Sequence, residues 1–204
     1  IIDALRPLSK AKDPLIRAAA ARSFEIMSGD DIRGDVLKLA ADKDIEVRRA
    51  AAKALRAFPS SETNALLLTF VKDSDPVVLA NAAEGIGILT VKEGRDSVIE
   101  LLEHADVRVR RAATSSLVKL GNELAKRALL RLLSARLFDS DGKVRLYAIQ
   151  GLHLVKDEKT VTVLGALIPD PMDEVRLATL DALANTGHAS AVDGISGALE
   201  DENT

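Results

Sequence analysis

Apolar and polar positions recur along this chain with a long period superimposed on a helical one. Apolar residues at Val47, Ala51, Ala54, Leu55 and Phe58 follow the spacing of one helix face. The block that contains them returns as Asp13-Pro-Leu-Ile-Arg17-Ala-Ala-Ala20, Asp44-Ile-Glu-Val-Arg48-Arg-Ala-Ala51 and Asp75-Pro-Val-Val-Leu79-Ala-Asn-Ala82. It comes again as Asp106-Val-Arg-Val-Arg110-Arg-Ala-Ala113, Asp141-Gly-Lys-Val-Arg145-Leu-Tyr-Ala148 and Asp173-Glu-Val-Arg176-Leu-Ala-Thr179. The arginine column falls at positions 17, 48, 79 (leucine here), 110, 145 and 176, at intervals of 31, 31, 31, 35 and 31 residues. Seven residues after it stands a large apolar residue each time: Phe24, Leu55, Ile86, Leu117, Leu152 and Leu183. Such self-similarity is the signature of a repeat array.

Each unit reads as a pair of helices. The aspartate opening each block can accept the free N–H groups of a new helix. Pro14 and Pro76 follow where proline fits a first helical position. The sixth unit slips, with Met172 in the cap column, so Asp170 or Asp173 has to cap instead. The partner helix carries a denser apolar stripe, as in Leu66-Leu67-Leu68-Phe70-Val71 and Val163-Leu164-Ala166-Leu167-Ile168. Ser28-Gly29-Asp30, Pro59-Ser60-Ser61, Gly94, Gly121-Asn122 and Thr186-Gly187 separate the helices. One 35-residue interval places four extra residues either in a long helix over 123–138 or in the loop Asp139-Ser140-Asp141-Gly142.

The D-x-x-V-R-x-x-A-A-x-x-L pattern at this period resembles the HEAT-like repeats of the kind found in phycobilisome lyases and bacterial scaffolds. The resemblance covers the whole chain and implies an all-α, right-handed α-solenoid of stacked antiparallel helix pairs. It also implies that the Asp and Arg columns form a structural ladder between units. Carried onto this chain, the ladder takes in Asp13 and Arg17, Asp44 and Arg48, Asp106 and Arg110, and Asp141 and Arg145, with Arg176 in the slipped unit. Leu79 interrupts it. The expected organisation is a single array over 1–204, about six helix pairs plus a lone final helix. The chain starts at Ile1 without a methionine, and Ala191, Val192, Ile195 and Leu199 have no following helix to cover them. Solenoid ends normally carry polar caps, so the expectation is a fragment of a longer array or an end-to-end contact.

Composition narrows the chemistry. Among 204 residues there is no cysteine and no tryptophan, which excludes disulfides, thiolate metal sites and cysteine nucleophiles. The three histidines, His104, His153 and His188, show no metal-ligand spacing, and His104 and His188 read as solvated loop residues. No phosphate-binding loop or nucleophile elbow occurs, and Gly85-Ile-Gly87 lies inside a helical pattern as a close-packing site. These absences give no catalytic residue, metal or cofactor, and lead to the expectation of a non-enzyme. With no leader or membrane-length apolar run, the expected location is cytoplasmic, without membrane insertion.

Recognition remains. Positions one, five and eight after the arginine column share a stripe by helical geometry, expected to line the concave face. The stripe runs from Ala18, Arg22 and Glu25 through Arg49, Lys53 and Arg56, then Ala80, Glu84 and Gly87, to Arg111, Ser115 and Val118. It ends with Leu146, Gln150 and His153, then Leu177, Asp181 and Ala184. The candidate protein-binding residues on it are Arg49, Lys53, Arg56, Glu84, Arg111, Ser115, Leu146, Gln150, His153, Leu177 and Asp181, with the two leucines as a docking groove for a partner helix or peptide. Charge is uneven: residues 106–136 carry eight basic and two acidic residues, residues 157–204 two basic and ten acidic. The overall net charge of −3 disfavours nucleic acid as the main partner. The functional expectation is a non-catalytic scaffold for a protein partner. The alternatives are a phycobilin-lyase-like enzyme or subunit, and nucleic-acid binding through 106–136.

Overall fold

In the computed structural model, the described residues are 2–27, 30–121, 126–153, 155 and 158–200. Expectations resting on Ser28-Gly29, on Asn122-Glu123 and on the side chains of Lys126, Arg127, Ala198 and Leu199 lie outside the described residues or side chains. The helices in order are α1 (Ile2–Leu5), α2 (Pro14–Glu25), α3 (Asp30–Ala40), α4 (Ile45–Ala54), α5 (Ser61–Phe70), α6 (Pro76–Ile88), α7 (Arg95–Glu100) and α8 (Val107–Lys119). They continue with α9 (Lys126–Arg136), α10 (Gly142–Leu152), α11 (Glu158–Gly165), α12 (Asp173–Thr186) and α13 (Ala189–Glu200). No strand occurs among the described residues, so the chain is all-α as its repeat pattern requires.

The aspartate column starts the helices. Asp13, Asp44, Asp75, Asp106 and Asp141 each accept a backbone N–H two residues on with Oδ1, and Asp75 and Asp141 accept a second one three residues on. In the sixth unit neither expected aspartate caps α12 in this way. Met172 occupies the cap position without a side-chain bond, Asp170 accepts the Met172 N–H, and Asp173 pairs with Arg176. The exit of α12 is set by Gly187 at φ 72°, a left-handed conformation that glycine adopts without strain.

The chain forms two compact units, Ile1–Ser116 and Leu117–Thr204. In the first, α2, α4 and α6 pack in succession, with α3 against α4 and α5 against α6. In the second, α9 packs on α10, α10 on α12, and α11 and α12 both meet α13. The core follows the repeat columns. Val47, Val78, Val109, Val144 and Val175 are fully buried, as are Leu55, Ile86, Leu117 and Leu152 of the later column. Ile16 departs from its column and is exposed. Thr179 stands in the alanine column and is buried with its hydroxyl donating to the Val175 carbonyl, which removes the cost of burying it.

Gly85 and Gly87 let α6 approach its neighbours. A Cβ on Gly85 would lie 2.8 Å from Leu67 Cδ2, and one on Gly87 would lie 2.7 Å from the Ser116 backbone Cα. Ser116 then donates its buried Oγ to the Ala83 carbonyl at 2.7 Å, locking α6 to α8. The reading of this glycine pair as a packing site is the one that the geometry bears out.

Candidate functional site

The ladder has a different pairing from the one the resemblance implied. Each capping aspartate binds N–H groups at its own helix start, with Asp75 also taking Arg49 and Asp106 taking Arg108, while the arginine column clasps the turn before its own helix. Nη1 of Arg17, Arg48 and Arg110 donates to the two carbonyls six and five residues upstream. Arg145 and Arg176 donate to the carbonyl six upstream, of Asp139 and Asp170. The acidic partners stand two residues before the next unit's cap. Arg17 holds Asp42 through Nε at 2.7 Å and Nη2 at 2.9 Å, and Arg145 holds Asp170 at 2.7 and 2.8 Å. The same upstream column braces the turn, because Asp42, Asp73, Asp139 and Asp170 accept the N–H of the residue two ahead. His104 occupies this column and accepts the Asp106 N–H with Nδ1 at 3.0 Å, so it is a turn residue and not simply a solvated one. An aspartate or histidine at 42, 73, 104, 139 and 170 is visible in the sequence, and it is the signal the repeat alignment missed.

Electrostatics agrees with this arrangement. The Arg17 guanidinium lowers the Asp42 carboxyl. At Asp170 burial is the largest single effect and pushes the carboxyl up, but the bond from Arg145, the Met172 N–H and the positive charges of Arg145 and Arg176 together hold it below its ordinary value. Arg49 pairs with both oxygens of Asp75, holding that carboxyl at about 2, and also contacts Glu46.

Several stripe residues are therefore engaged within the protein. Arg49 belongs to the structural framework. Arg56 bridges Glu25 at 2.6 Å and Glu84 at 2.7 Å, and Lys53 reaches Glu25 at 3.1 Å. The basic patch expected in the second repeat is thus neutralised across α2, the 3-10 turn Leu55–Ala57 and α6. Ala18 and Gly87, expected to face outward, are buried because neighbouring second helices pack over them. Arg111 has an interaction of its own, and both it and Ser115 are half-buried. In the basic 106–136 segment, Arg108 pairs with Asp106, holding that carboxyl at about 2, and Arg136 lies 3.8 Å from Asp139.

The stripe is open in the second unit. Gln150 and His153 on and just after α10, and Asp181 on α12, are exposed, and Leu177 is 63% exposed. Leu146 is half-buried. Between α10 and α12 runs an open cleft of about 300 Å³, lined by Ile149, Gln150, His153, Ala178, Asp181, Ala182 and Asn185. Its floor is apolar, with Ile149 and Ala182 nearly fully buried. Its rim is polar: an amide, an imidazole and a carboxylate from the expected stripe, joined by Asn185, which the stripe omitted. Asn185 donates Nδ2 to the Asp181 carbonyl at 2.7 Å, which fixes the amide at the rim. A cleft this size is at the small end of ligand sites, which span roughly 300–1,000 Å³. It has room for one or two side chains of a peptide. Among the described residues no three His, Asp or Glu are placed to share a metal ion, and no helix is long and apolar enough to cross a membrane.

Comparison with known proteins places these elements. A family model described as HEAT repeats matches residues 35–94, 63–138 and 130–204. No curated protein matches the chain. Among solved structures, Escherichia coli YibA aligns at 20% identity and TM-score 0.73, over 99% of this chain and 76% of its own. The CpcE–CpcF complex of phycocyanin lyase from Nostoc aligns at 18% identity and TM-score 0.66, over 94% and 79%. A designed armadillo repeat protein in complex with the peptide (KR)4 aligns at 16% and 0.63, over 89% and 98%.

Proposed function

From the premise that the chain belongs to the HEAT-repeat family, we propose that it is a non-catalytic scaffold that binds a segment of a protein partner across α10 and α12. The observation that carries this reading is the cleft itself. It joins an apolar floor to polar side chains free to recognise peptide groups, on a stripe whose counterpart in the first unit is filled by internal ion pairs. A peptide needs such a surface: buried area from its side chains, and hydrogen-bonding partners for its main chain. The armadillo repeat protein holding (KR)4 and the CpcE–CpcF complex support the reading, since both are proteins of this fold bound to another chain. Binding uses exposed side chains and requires no change in the helices.

Affinity capture from the source extract tests it, run in parallel with wild type and with Leu177→Glu. A stoichiometric protein retained by wild type and lost with the variant is the expected result. A lyase-like role is distinguished by adding a bilin and recording its visible spectrum. A bilin absorbance shift, or recovery of nucleic acid alone, would overturn the scaffold assignment.

A further inference from the structure

We infer that the α10–α12 cleft selects a partner segment carrying a lysine or arginine, whose charged end is received by Asp181. This rests on the cleft being a peptide-binding surface and names the chemistry of its occupant. The first observation is that Asp181 is uncommitted. Other carboxylates of the second unit, Asp139, Asp170 and Asp173, lie beside Arg136, Arg145 and Arg176. Among the described residues no cation pairs with the Asp181 side chain, which is exposed at the rim.

The second observation is the surface beside that carboxylate. Ile149, Ala178 and Ala182 give an apolar floor, and Leu177 is exposed on the same helix one turn earlier. Lysine and arginine need this combination, an apolar track for the stem and an anion for the head. An acidic or wholly apolar side chain would leave Asp181 repelled or desolvated without a partner. The third observation is the field. Helix α12 carries Asp173, Glu174 and Asp181 against Arg176 alone, so a cationic segment is drawn to this helix. Gln150 and Asn185 supply amide groups for the segment's main chain.

Selection from a phage-displayed random dodecapeptide library tests this, with wild type, Asp181→Asn, Glu174→Gln and Ala178→Trp as baits. Glu174 is an exposed carboxylate of α12 outside the cleft, so Glu174→Gln makes the same charge change elsewhere. Ala178→Trp fills the cleft. The expected result is enrichment of Lys or Arg in the wild-type pool, retained with Glu174→Gln and lost with Asp181→Asn. The selected synthetic peptide should bind Asp181→Asn about three- to tenfold more weakly. Loss that is equal in Asp181→Asn and Glu174→Gln would overturn the inference, because it would report only the field. Uncharged or acidic binders that Ala178→Trp abolishes would overturn it while leaving the cleft as a peptide site. Binders indifferent to Ala178→Trp, or no binders at all, would sink both.

Discussion

Arg145 and Asp170, twenty-five residues apart, form a two-pronged ion pair with their side chains only 10% and 4% exposed. The pair joins the start of α10 to the turn before α12. Arg145 also holds the Asp139 carbonyl, and Asp170 the Met172 N–H, so each residue ties the pair to the local backbone. It supports α10 and α12 from the end opposite to His153 and Asn185. Removing one partner leaves the other charge buried alone, and Arg145→Ala should cost about 2–4 kcal/mol by urea denaturation. An unchanged midpoint would contradict the assigned role.

The rung at Leu79 departs from the pattern at both ends. Leu79 replaces the arginine, and the position twenty-five residues on, the column of Asp42 and Asp170, holds His104. Leu79 is 5% exposed, so Leu79→Arg alone should destabilise by roughly 3 kcal/mol through an unpaired buried cation. His104→Asp alone should be nearly neutral, because a carboxylate can still accept the Asp106 N–H. The double variant should recover at least half the loss. A double-mutant cycle measures this directly, and strict additivity would deny that the two columns meet.

Thr90 has φ 54°, in the left-handed region, and it falls in the same repeat column as Gly187. A β-branched residue is strained there. Thr90→Gly should raise stability by about 1 kcal/mol, visible as a higher Tm. The reverse holds at Gly187, where Gly187→Ala should lower it by a similar amount even though nothing crowds the Cβ.

Acid should destabilise the chain through its capping aspartates. Asp75 titrates at about 2 in the fold, against an unfolded value of 3.8, because Arg49 and two backbone N–H groups favour its charged form. A depressed folded pKa contributes stability that is complete above the unfolded value and lost as pH falls toward the folded one. Asp106, also held at about 2, acts in the same window. Stability should therefore fall between about pH 4 and pH 2. Asp75→Asn should flatten that fall and remove roughly 1–2 kcal/mol at pH 7. Arg49→Glu should destabilise as well, since it sets a carboxylate against Asp75 and Glu46. A variant as stable as wild type would return Arg49 to the set of available binding residues.

The fold was legible because its columns are local. A cap aspartate acts on N–H groups two and three residues away, and a valine is buried by its place on one helix face. What repeat spacing did not reveal was the partner of each arginine, since Arg17 and Asp42 are joined only by tertiary packing. The stripe was legible by helical geometry and misleading in detail. Ala18 and Gly87 are on it yet buried, and Arg49 is on it yet paired, because the neighbouring helix reaches that far around. The four extra residues before Arg145 do not lie in the Asp139-Ser140-Asp141 turn. That turn has the same length and the same N–H bond as Asp42-Lys43-Asp44, which places the insertion between Leu117 and Asp139.

The most direct test of the binding surface is amide NMR of the isotope-labelled chain during titration with the selected peptide. The account predicts shift changes concentrated on residues 146–153 and 177–185. Changes concentrated on α2, α4 and α6, with α10 and α12 unmoved, would contradict it.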